Sequence, residues 1–254
     1  MTCPLRTAYN RQFILSFGKS TMAMLAKLSP RLQAVVDVLE NHATRYQGVW
    51  DCCCDHGYLG SHIMSRELCD KVYFVDQLPH ITASLEAALK RFGDSRYGVI
   101  TADAGRLDIP EQGRHLLLIL GVGGRAIVAI LQQLQRCNPK QNFDFILCAT
   151  NCVYDLRVYL RLLGWGLIRE QIVTDRGREY ELIQVSASID HIGNNITTTG
   201  QMWDVDNSQH RRYQKRLLEH YYRQSRSDDG ARLHAIIEAY QRCFASVNNS
   251  LVKD

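Results

Sequence analysis

Short runs of apolar residues alternate along this chain with longer segments in which apolar residues recur every three or four positions. The short runs have the length of strands, and the recurring pattern is typical of amphipathic helices. Seven strands are predicted, at Gly48–Asp51, Lys71–Asp76, Gly98–Asp103, His115–Leu120, Phe143–Ala149, Leu167–Val173 and Tyr180–Ser186. Helices are predicted between them, at Tyr58–Leu68, Pro79–Phe92, Gly124–Cys137 and Asp155–Leu163.

The middle strands are continuously apolar rather than alternating, as in the sequence HLLLIL at His115–Leu120. Strands of this kind are buried on both faces, in a parallel sheet that helices cover. Only the stretch TDRGRE, Thr174–Glu179, separates the last two strands. It is too short for a helical crossover, so these two strands are expected to pair antiparallel. The order of elements therefore predicts an α/β, Rossmann-like fold with a seven-stranded sheet.

Composition and periodicity divide the chain into four parts. Residues 1–23 lack the regular pattern that follows, and we treat them as an N-terminal extension of uncertain translation. Residues 24–189 hold the α/β domain, and the polar stretch 190–208 is a predicted linker. Residues 209–254 predict a coiled-coil-like helical hairpin, because apolar residues recur there at helical spacing on both sides of a polar turn.

The overall composition is that of a globular protein, with 46% hydrophobic residues, 22% charged residues and a net charge of +4. No apolar run reaches the roughly 18–20 residues of a membrane helix. Nine cysteines include the neighbours Cys52, Cys53 and Cys54, which are too close to pair with one another. Without a second ligand pair at zinc-like spacing, they predict reduced thiols, no metal and a cytoplasmic protein. We expect a monomer or a weak dimer.

Two segments of the chain are one-sidedly basic. Residues 1–36 contain no acidic residue, and residues 209–226 carry six basic residues against Glu219 alone. Such a concentration of positive charge suits a polyanion such as RNA. A solvated helix face explains the same pattern equally well. Within the second segment, the candidate RNA contacts are Arg211, Arg212 and Lys215.

An acidic residue follows each of the first three predicted strands: Asp51 or Asp55 after the first, Asp76 after the second and Asp103 after the third. Ligands of open α/β sheets bind outside the carboxyl ends of the strands, so these carboxylates are expected to lie close together. They suit S-adenosylmethionine, whose ribose hydroxyls, adenine amine and ammonium group all donate hydrogen bonds. A nicotinamide dinucleotide shares the second acid, but its GxGxxG loop is missing. Helix capping is the structural alternative for each aspartate.

The loop after the first strand reads DCCCDHGYL, Asp51–Leu59. Together with KLSPRL at 27–32, LGVGG at 120–124 and DRGREYE at 175–181, it resembles the bacterial tRNA adenine-N1 methyltransferase family that modifies position 22, the TrmK-like family. The resemblance covers residues 24–188, and a helical C-terminal extension is also a feature of that family. It implies a class I methyltransferase sheet, S-adenosylmethionine as cofactor and tRNA as partner, with no role for DNA or a membrane.

The resemblance also implies roles for individual residues. The cofactor is expected at the strand ends and the loops beside them, on Arg31, Asp51, Cys53, Asp55, His56, Gly57, Asp76, Gln77, Asp103, Ala104 and Gly121. The candidate catalytic residues are Asp55, Tyr58 and Asn151. Further RNA contacts are expected at Gly123, Gly124 and Arg125. For two of these residues a structural role is open as well, helix capping for His56 and packing for Tyr58.

Three positions depart from the pattern of the resembled family. Cys53 replaces a loop glycine, whose missing side chain permits close approach of the backbone to a ligand. Gly60 stands where that family often has proline. After the fifth strand that family often shows Q-P-N, whereas this chain has Ala149-Thr150-Asn151, so only Asn151 matches.

Adenine N1 carries a lone pair and can attack a sulfonium methyl directly, so such an enzyme needs alignment rather than a strong base. The motif [DNS]PP[YFW], typical of DNA N6-adenine methyltransferases, is absent after the fourth strand. Two other functions stay open. The same fold serves methyltransferases of small molecules and of proteins. A noncatalytic module can also use such a pocket to sense a nucleotide or to dock RNA.

Overall fold

The computed structural model describes residues 25–41, 45–92, 95–139, 143–188, 195–226 and 230–250. The chain divides into two compact units between His115 and Leu116. The predicted N-terminal extension, residues 1–23, and the start of the predicted linker, residues 190–194, lie outside the described residues.

The first unit alternates strands and helices. Its elements are α1 (Pro30–Glu40), β1 (Tyr46–Cys52), α2 (Tyr58–Ser65), β2 (Cys69–Asp76), α3 (Pro79–Leu89) and β3 (Tyr97–Thr101). β2 pairs in parallel with both β1 and β3. Proline stands in the first turn of α1 and of α3, where its missing N–H costs nothing and its fixed φ suits the helix.

The second unit contains the remaining strands and helices. Its elements are β4 (His115–Leu120), α4 (Gly124–Cys137), β5 (Asp144–Cys148), α5 (Val153–Leu162), β6 (Gly166–Asp175), β7 (Arg178–Ser186), α6 (Ser208–Gln224) and α7 (Gly230–Ser250). Every residue of β4 and of β5 is buried, and these two strands pair in parallel. None of the described helices is long and apolar enough to cross a membrane.

A two-residue turn, Arg176-Gly177, joins β6 to β7. Both residues have a positive φ, 49° and 74°, which gives the turn the backbone twist that a tight hairpin requires. Because the turn takes only two residues, β6 extends to Asp175 and β7 begins at Arg178, beyond the predicted ends. β7 pairs antiparallel with β6, which confirms the predicted hairpin, and also antiparallel with β5.

The seven strands have the order β3-β2-β1-β4-β5-β7-β6 in a mixed sheet. The predicted α/β, Rossmann-like fold with seven strands is therefore confirmed. The helices differ from the prediction mainly at their ends. α2, for example, ends at Ser65 rather than at Leu68.

α6 and α7 form the predicted helical hairpin, and both helices contribute to one apolar core. Its buried residues are Trp203, Tyr213, Leu217, Tyr221, Leu233, Ile236, Ile237, Tyr240 and Phe244. Trp203 comes from the segment predicted as a linker, so the described part of that segment packs against the hairpin. Tyr154 of α5 and Ile172 of β6 pack against the same core. The hairpin therefore rests on the α/β part of the second unit.

Candidate cofactor and substrate site

The loop between β1 and α2 has a tightly folded backbone. Three of its residues, Cys53, Asp55 and Gly57, have positive φ angles of 60°, 49° and 69°. A Cβ added at Gly57 would lie 2.6 Å from the side chain of Leu85, so this position needs glycine for space as well as for backbone conformation. The amide of Cys54 donates to the carbonyl oxygen of β2 residue 75 at 3.1 Å, which holds the loop against β2.

Asp51 is the buried acid of this region. Asp51 is only 4% exposed, and its carboxylate accepts a hydrogen bond of 2.9 Å from the amide of Gly60. Burial raises the pKa of Asp51 to about 7, against the opposing effect of the Gly60 hydrogen bond. Asp51 therefore connects the end of β1 to the first turns of α2. The exposed acid of the loop is Asp55.

Asp55, His56 and Tyr58 form an exposed group on the same loop. Oδ2 of Asp55 lies 2.9 Å from Nδ1 of His56. The ring of His56 stacks on that of Tyr58, with 5.4 Å between centroids and 8° between planes. The N-cap of α2 is Gly57, without a side-chain capping bond, so His56 does not cap this helix. The three side chains are available to a ligand.

The acids after β2 and β3 each hold backbone amides. Asp76 accepts hydrogen bonds from the amide of Leu78 at 3.0 Å and from the amide of Asp55 at 3.4 Å. Asp103 is exposed and accepts from the amide two residues ahead at 2.9 Å, which caps the short 3-10 turn Ala104–Arg106. A carboxylate has about four lone-pair sites, so each of these two acids retains capacity for a further donor.

The charges of three of the acids act on the thiol of Cys53. Burial raises the pKa of this thiol to about 11, and the charges of Asp76, Asp51 and Asp103 add to the increase. Cys53 is therefore a small, neutral side chain at neutral pH. The predicted gathering of carboxylates at the carboxyl ends of β1, β2 and β3 is present in the first unit.

The other predicted cofactor residues have less distinctive surroundings. Gln77 is exposed directly after β2, and Ala104 is buried in the turn after β3. Arg31 is half-buried in the first turn of α1. Gly121 belongs to the second unit, with a φ of 81° and no heavy atom within 4 Å of a Cβ added there. The roles of these four residues stay predictions.

In the second unit, a hydrogen bond of 2.9 Å from the amide of Gly124 to the carbonyl oxygen of Asn151 joins the loops after β4 and β5. A Cβ at Gly124 would collide with the carbonyl of Cys152, so the first residue of α4 has to be glycine. A Cβ at Gly123 would lie 2.7 Å from Oδ1 of Asn151. The exposed side chain of Asn151 therefore lies over the backbone of the glycine loop.

Arg125 is exposed at the start of α4, and it is paired. Its Nε lies 2.8 Å from Oδ2 of Asp155 on α5. Arg232 of α7 contacts the same carboxylate. This predicted RNA contact therefore also belongs to an ion-pair group that joins three helices of the second unit.

The three predicted RNA contacts of the basic segment lie on α6, and all are exposed. Nε of Arg212 nevertheless lies 2.9 Å from Oε1 of Glu179, a buried acid of β7. Lys215 has a longer pairing within its own helix, 3.9 Å from Glu219. Arg211 donates to a backbone carbonyl oxygen, that of Val205, and not to a buried acid. Arg211 and Lys215 are therefore the more accessible cations of the three, whereas Arg212 also anchors the helix to β7.

A cleft of about 430 Å³ in the second unit was not predicted from the sequence. It lies between the loop after β5, the start of β7 and α6. Its lining includes Asn151, Arg178, Tyr180, Arg216, His220 and Arg223. Tyr180 lies in the DRGREYE stretch, and three of the others lie in the basic segment 209–226. The sequence thus contains both groups, but nothing in it indicates that they share a cleft.

All eight cysteines among the described residues are free thiols. In the same part of the chain, no group of three or more His, Cys, Asp or Glu side chains is placed to hold a metal ion.

Comparison with known proteins gives a match in sequence. A family model described as a methyltransferase domain matches residues 28–183. Among curated proteins, the candidate tRNA methyltransferase MG248 of Mycoplasma genitalium is 24% identical over 162 residues, which span 62% of this chain and 69% of that protein.

Solved structures share the fold. The B. subtilis M1A22 tRNA methyltransferase TrmK superposes with a TM-score of 0.64 and 19% identity, over 88% of this chain and 98% of that chain. The M. capricolum TrmK, solved with S-adenosylhomocysteine, has a TM-score of 0.64 and 15% identity, over 87% of this chain and 99% of that chain. These similarities concern the fold alone.

Proposed function

The chain belongs to the methyltransferase-domain family, and we propose that it transfers the methyl group of S-adenosylmethionine to N1 of an adenine in tRNA, at position 22. We place this activity in the cytoplasm, where its substrate is. The proposal depends above all on one observation. Asp51, Asp76 and Asp103 lie at or just after the carboxyl ends of three adjacent parallel strands, and each is near enough to the Cys53 thiol for its charge to raise the thiol's pKa.

The residues at these strand ends fit S-adenosylmethionine. Asp76 accepts two backbone amides and retains lone pairs for the two ribose hydroxyls. Asp103, exposed after β3, suits the adenine amine. Asp55 is exposed on the loop and suits the ammonium group. Hydrogen bonds to charged groups contribute about 1.5–3 kcal/mol each, so each of these acids should contribute measurably to cofactor affinity.

S-adenosylmethionine, when bound, supplies a methyl group on a positively charged sulfur. The protein's task is to align adenine N1 with that methyl group and to exclude water. No residue has to remove a proton, because N1 attacks through its own lone pair. The adenine ring gains positive charge during transfer, and stabilising that charge is the alternative role of the exposed Asp55 carboxylate, in place of holding the ammonium group.

Asn151 suits recognition of the target base. A side-chain amide can form two hydrogen bonds with N6 and N7 of adenine, which leaves N1 free to react. Asn151 is exposed and lies over the backbone of Gly123. The base has to leave its stack before N1 is accessible. The stacked rings of His56 and Tyr58 offer an aromatic surface of the kind that receives unstacked bases.

Several observations support tRNA as the substrate. The Mycoplasma genitalium relative is named for tRNA methylation, and so is the B. subtilis TrmK that shares the fold. The DCCCDHGYL and DRGREYE stretches resemble motifs of the same family. Arg211 and Lys215 supply exposed cations for phosphate contacts.

Methyl transfer in vitro tests this proposal. The purified chain is incubated with tritiated S-adenosylmethionine and an unmodified tRNA transcript that has adenine at position 22. A transcript with guanine at that position is the control. We expect N1-methyladenosine, identified by mass spectrometry, in the first transcript only. Cofactor binding without transfer to tRNA would instead support a noncatalytic module, and equal labelling of both transcripts would contradict position 22.

A further inference from the structure

The cleft between the loop after β5, the start of β7 and α6 has the size of a ligand pocket. Its volume of about 430 Å³ lies within the range of pockets that hold small molecules. Asn151, the candidate for recognition of the target base, lines this cleft. Three arginines and a histidine also line it, together with two acids, Glu179 and Glu181. The charge that a ligand meets depends on how these groups are paired.

Both acids are compensated by the protein itself. Glu179 is buried and pairs with Arg212 at 2.9 Å and with Arg216. The side chain of Glu181 is completely buried and lies 2.7 Å from Nε of Arg157. Tyr213 also donates to Glu181 at 2.9 Å. Neither acid is therefore left to repel an anion in the cleft.

Two of the lining arginines have no such partner. Arg178, at the start of β7, and Arg223, in the last turn of α6, are both exposed. Neither has a carboxylate partner among the residues that the structure describes, whereas the third lining arginine, Arg216, pairs with Glu179. These two guanidinium groups give the cleft a net positive charge, which suits a phosphate.

Aromatic rings accompany the two arginines. His220 is exposed, and its ring meets that of Tyr221 edge-on, at 5.3 Å between centroids. Burial and the charge of Arg223 lower the pKa of His220, so it is a neutral ring at pH 7. A neutral ring beside two cations is a combination that recognises a nucleotide, through base stacking and phosphate contacts.

We propose that this cleft binds a nucleotide of the substrate RNA next to the methylated adenine, with its phosphate on Arg178 and Arg223 and its base against His220. The inference rests on the proposed function, because that function makes RNA the substrate. It adds a site distinct from the accessible cations Arg211 and Lys215. Asn151 lines the same cleft, so a flanking nucleotide held there would accompany the target base.

The test compares two double variants of equal charge. R178A/R223A removes the two unpaired cations of the cleft. R136A/R161A removes two exposed arginines from the last turns of α4 and α5, outside the cleft lining. Affinity for unmodified tRNA is measured by filter binding with S-adenosylhomocysteine present, at several salt concentrations. Methyl-transfer kinetics give KM and kcat for the same variants.

We expect R178A/R223A to raise the Kd for tRNA about tenfold or more. The slope of log K against the logarithm of the salt concentration should also become less steep, by about 1–2. Its affinity for S-adenosylhomocysteine should stay within about twofold of wild type, which also shows that the variant is folded. R136A/R161A should change the Kd for tRNA by less than about twofold. H220A should weaken tRNA binding by about fivefold through lost stacking.

The outcomes separate this inference from the proposed function. If wild type methylates tRNA and R178A/R223A behaves like R136A/R161A, the cleft is not a nucleotide site, although the function stands. If R178A/R223A weakens tRNA binding but wild type transfers no methyl group, the cleft is a nucleotide site and the proposed function is wrong. If wild type does not bind tRNA, both are wrong. Binding of a polyglutamate peptide that R178A/R223A abolishes, with the tRNA affinity of that variant unchanged, would reassign the cleft to an acidic protein segment.

Discussion

The backbone amide of Asp55 donates a hydrogen bond to Oδ2 of Asp76, at 3.4 Å. One carboxylate thus ties the loop after β1 to the end of β2 and, in the proposed function, accepts the ribose hydroxyls. We expect D76A to weaken binding of S-adenosylhomocysteine at least tenfold, because hydrogen bonds to a charged group contribute about 1.5–3 kcal/mol. D76N keeps an acceptor oxygen and should lose less. Isothermal titration calorimetry measures both variants.

Asp70 offers a matched control on the same strand. It is exposed and pairs with Arg45 at 2.7 Å, away from the loop. D70A should leave cofactor affinity unchanged. A loss in D70A as large as that in D76A, or unchanged affinity in D76A, would mean that Asp76 does not contact the cofactor.

Cys53 has a left-handed backbone, with a φ of 60°, where the resembled family has glycine. A residue with a side chain costs about 1–2 kcal/mol in this conformation, and glycine recovers part of that after its larger loss of chain entropy. We expect C53G to raise the free energy of unfolding by up to about 1 kcal/mol and to bind S-adenosylhomocysteine more tightly. C53V, with a β-branched side chain, should lower stability. Thermal unfolding and calorimetry test these expectations, and C53G with wild-type affinity would show that the thiol does not restrict the cofactor.

Much of the fold could be predicted because its central strands, β4 and β5, are buried on both faces. A strand such as β4, with all of its residues buried, is a continuous apolar run that needs no tertiary information to be recognised. The gathering of Asp76 and Asp103 followed from topology, since the carboxyl ends of neighbouring parallel strands meet at one edge of the sheet. The position of each aspartate directly after a predicted strand was sufficient for this prediction.

The remaining features depend on contacts between distant segments. Arg212 and Glu179 are 33 residues apart, and they meet only because α6 packs against β7. A local charge pattern cannot distinguish such an anchor from an exposed cation, so Arg212 and Lys215 were predicted to play the same role. The cleft lined by Arg178 and Arg223 was missed for the same reason, because its walls come from three separate elements.

Asp51 makes the stability of the protein depend on pH. Burial raises its pKa from 3.8 to about 7 in the folded state. Between these two values the folded state binds more protons than the unfolded state, so this group's contribution to stability falls as the pH rises from about 4 to about 7. D51N keeps an oxygen for the amide of Gly60 but carries no charge. Its stability relative to wild type should therefore increase across this window, by at most about 1.4 kcal/mol per pH unit.

Urea unfolding of the cofactor-free protein at pH 5, 6, 7 and 8 measures this difference. D108N, which changes an exposed aspartate outside the helices and strands, is the control and should differ from wild type by the same amount at every pH. A pH-independent difference between D51N and wild type would show that the Asp51 carboxyl is not strongly desolvated.

Glu179 determines how the basic face of α6 has to be tested. Because its buried Oε1 pairs with Arg212, R212E would place two carboxylates against each other, and we expect a loss of more than about 1 kcal/mol in the free energy of unfolding. R211E/K215E changes exposed positions whose polar partners among the described residues are Glu219 of the same helix and the carbonyl oxygen of Val205, so it should lose less stability than R212E while weakening tRNA binding about tenfold. Urea denaturation and filter binding separate the two effects. Undiminished tRNA affinity in R211E/K215E would exclude this face of α6 from the RNA contact.

Arg157 is completely buried, with Nε 2.7 Å from Glu181 and Nη2 2.7 Å from Glu170. Burial alone would lower the pKa of Arg157. The two carboxylates raise this pKa by more than burial lowers it, so the group stays charged. R157M would leave both acids buried without a cation, at a cost of about 3–5 kcal/mol. Tyr213 of α6 donates to Glu181, so hydrogen exchange in the hairpin should also accelerate. R161M, exposed on the same helix, should stay within about 0.5 kcal/mol of wild type. Wild-type stability and exchange in R157M would show that this buried group does not hold the hairpin in place.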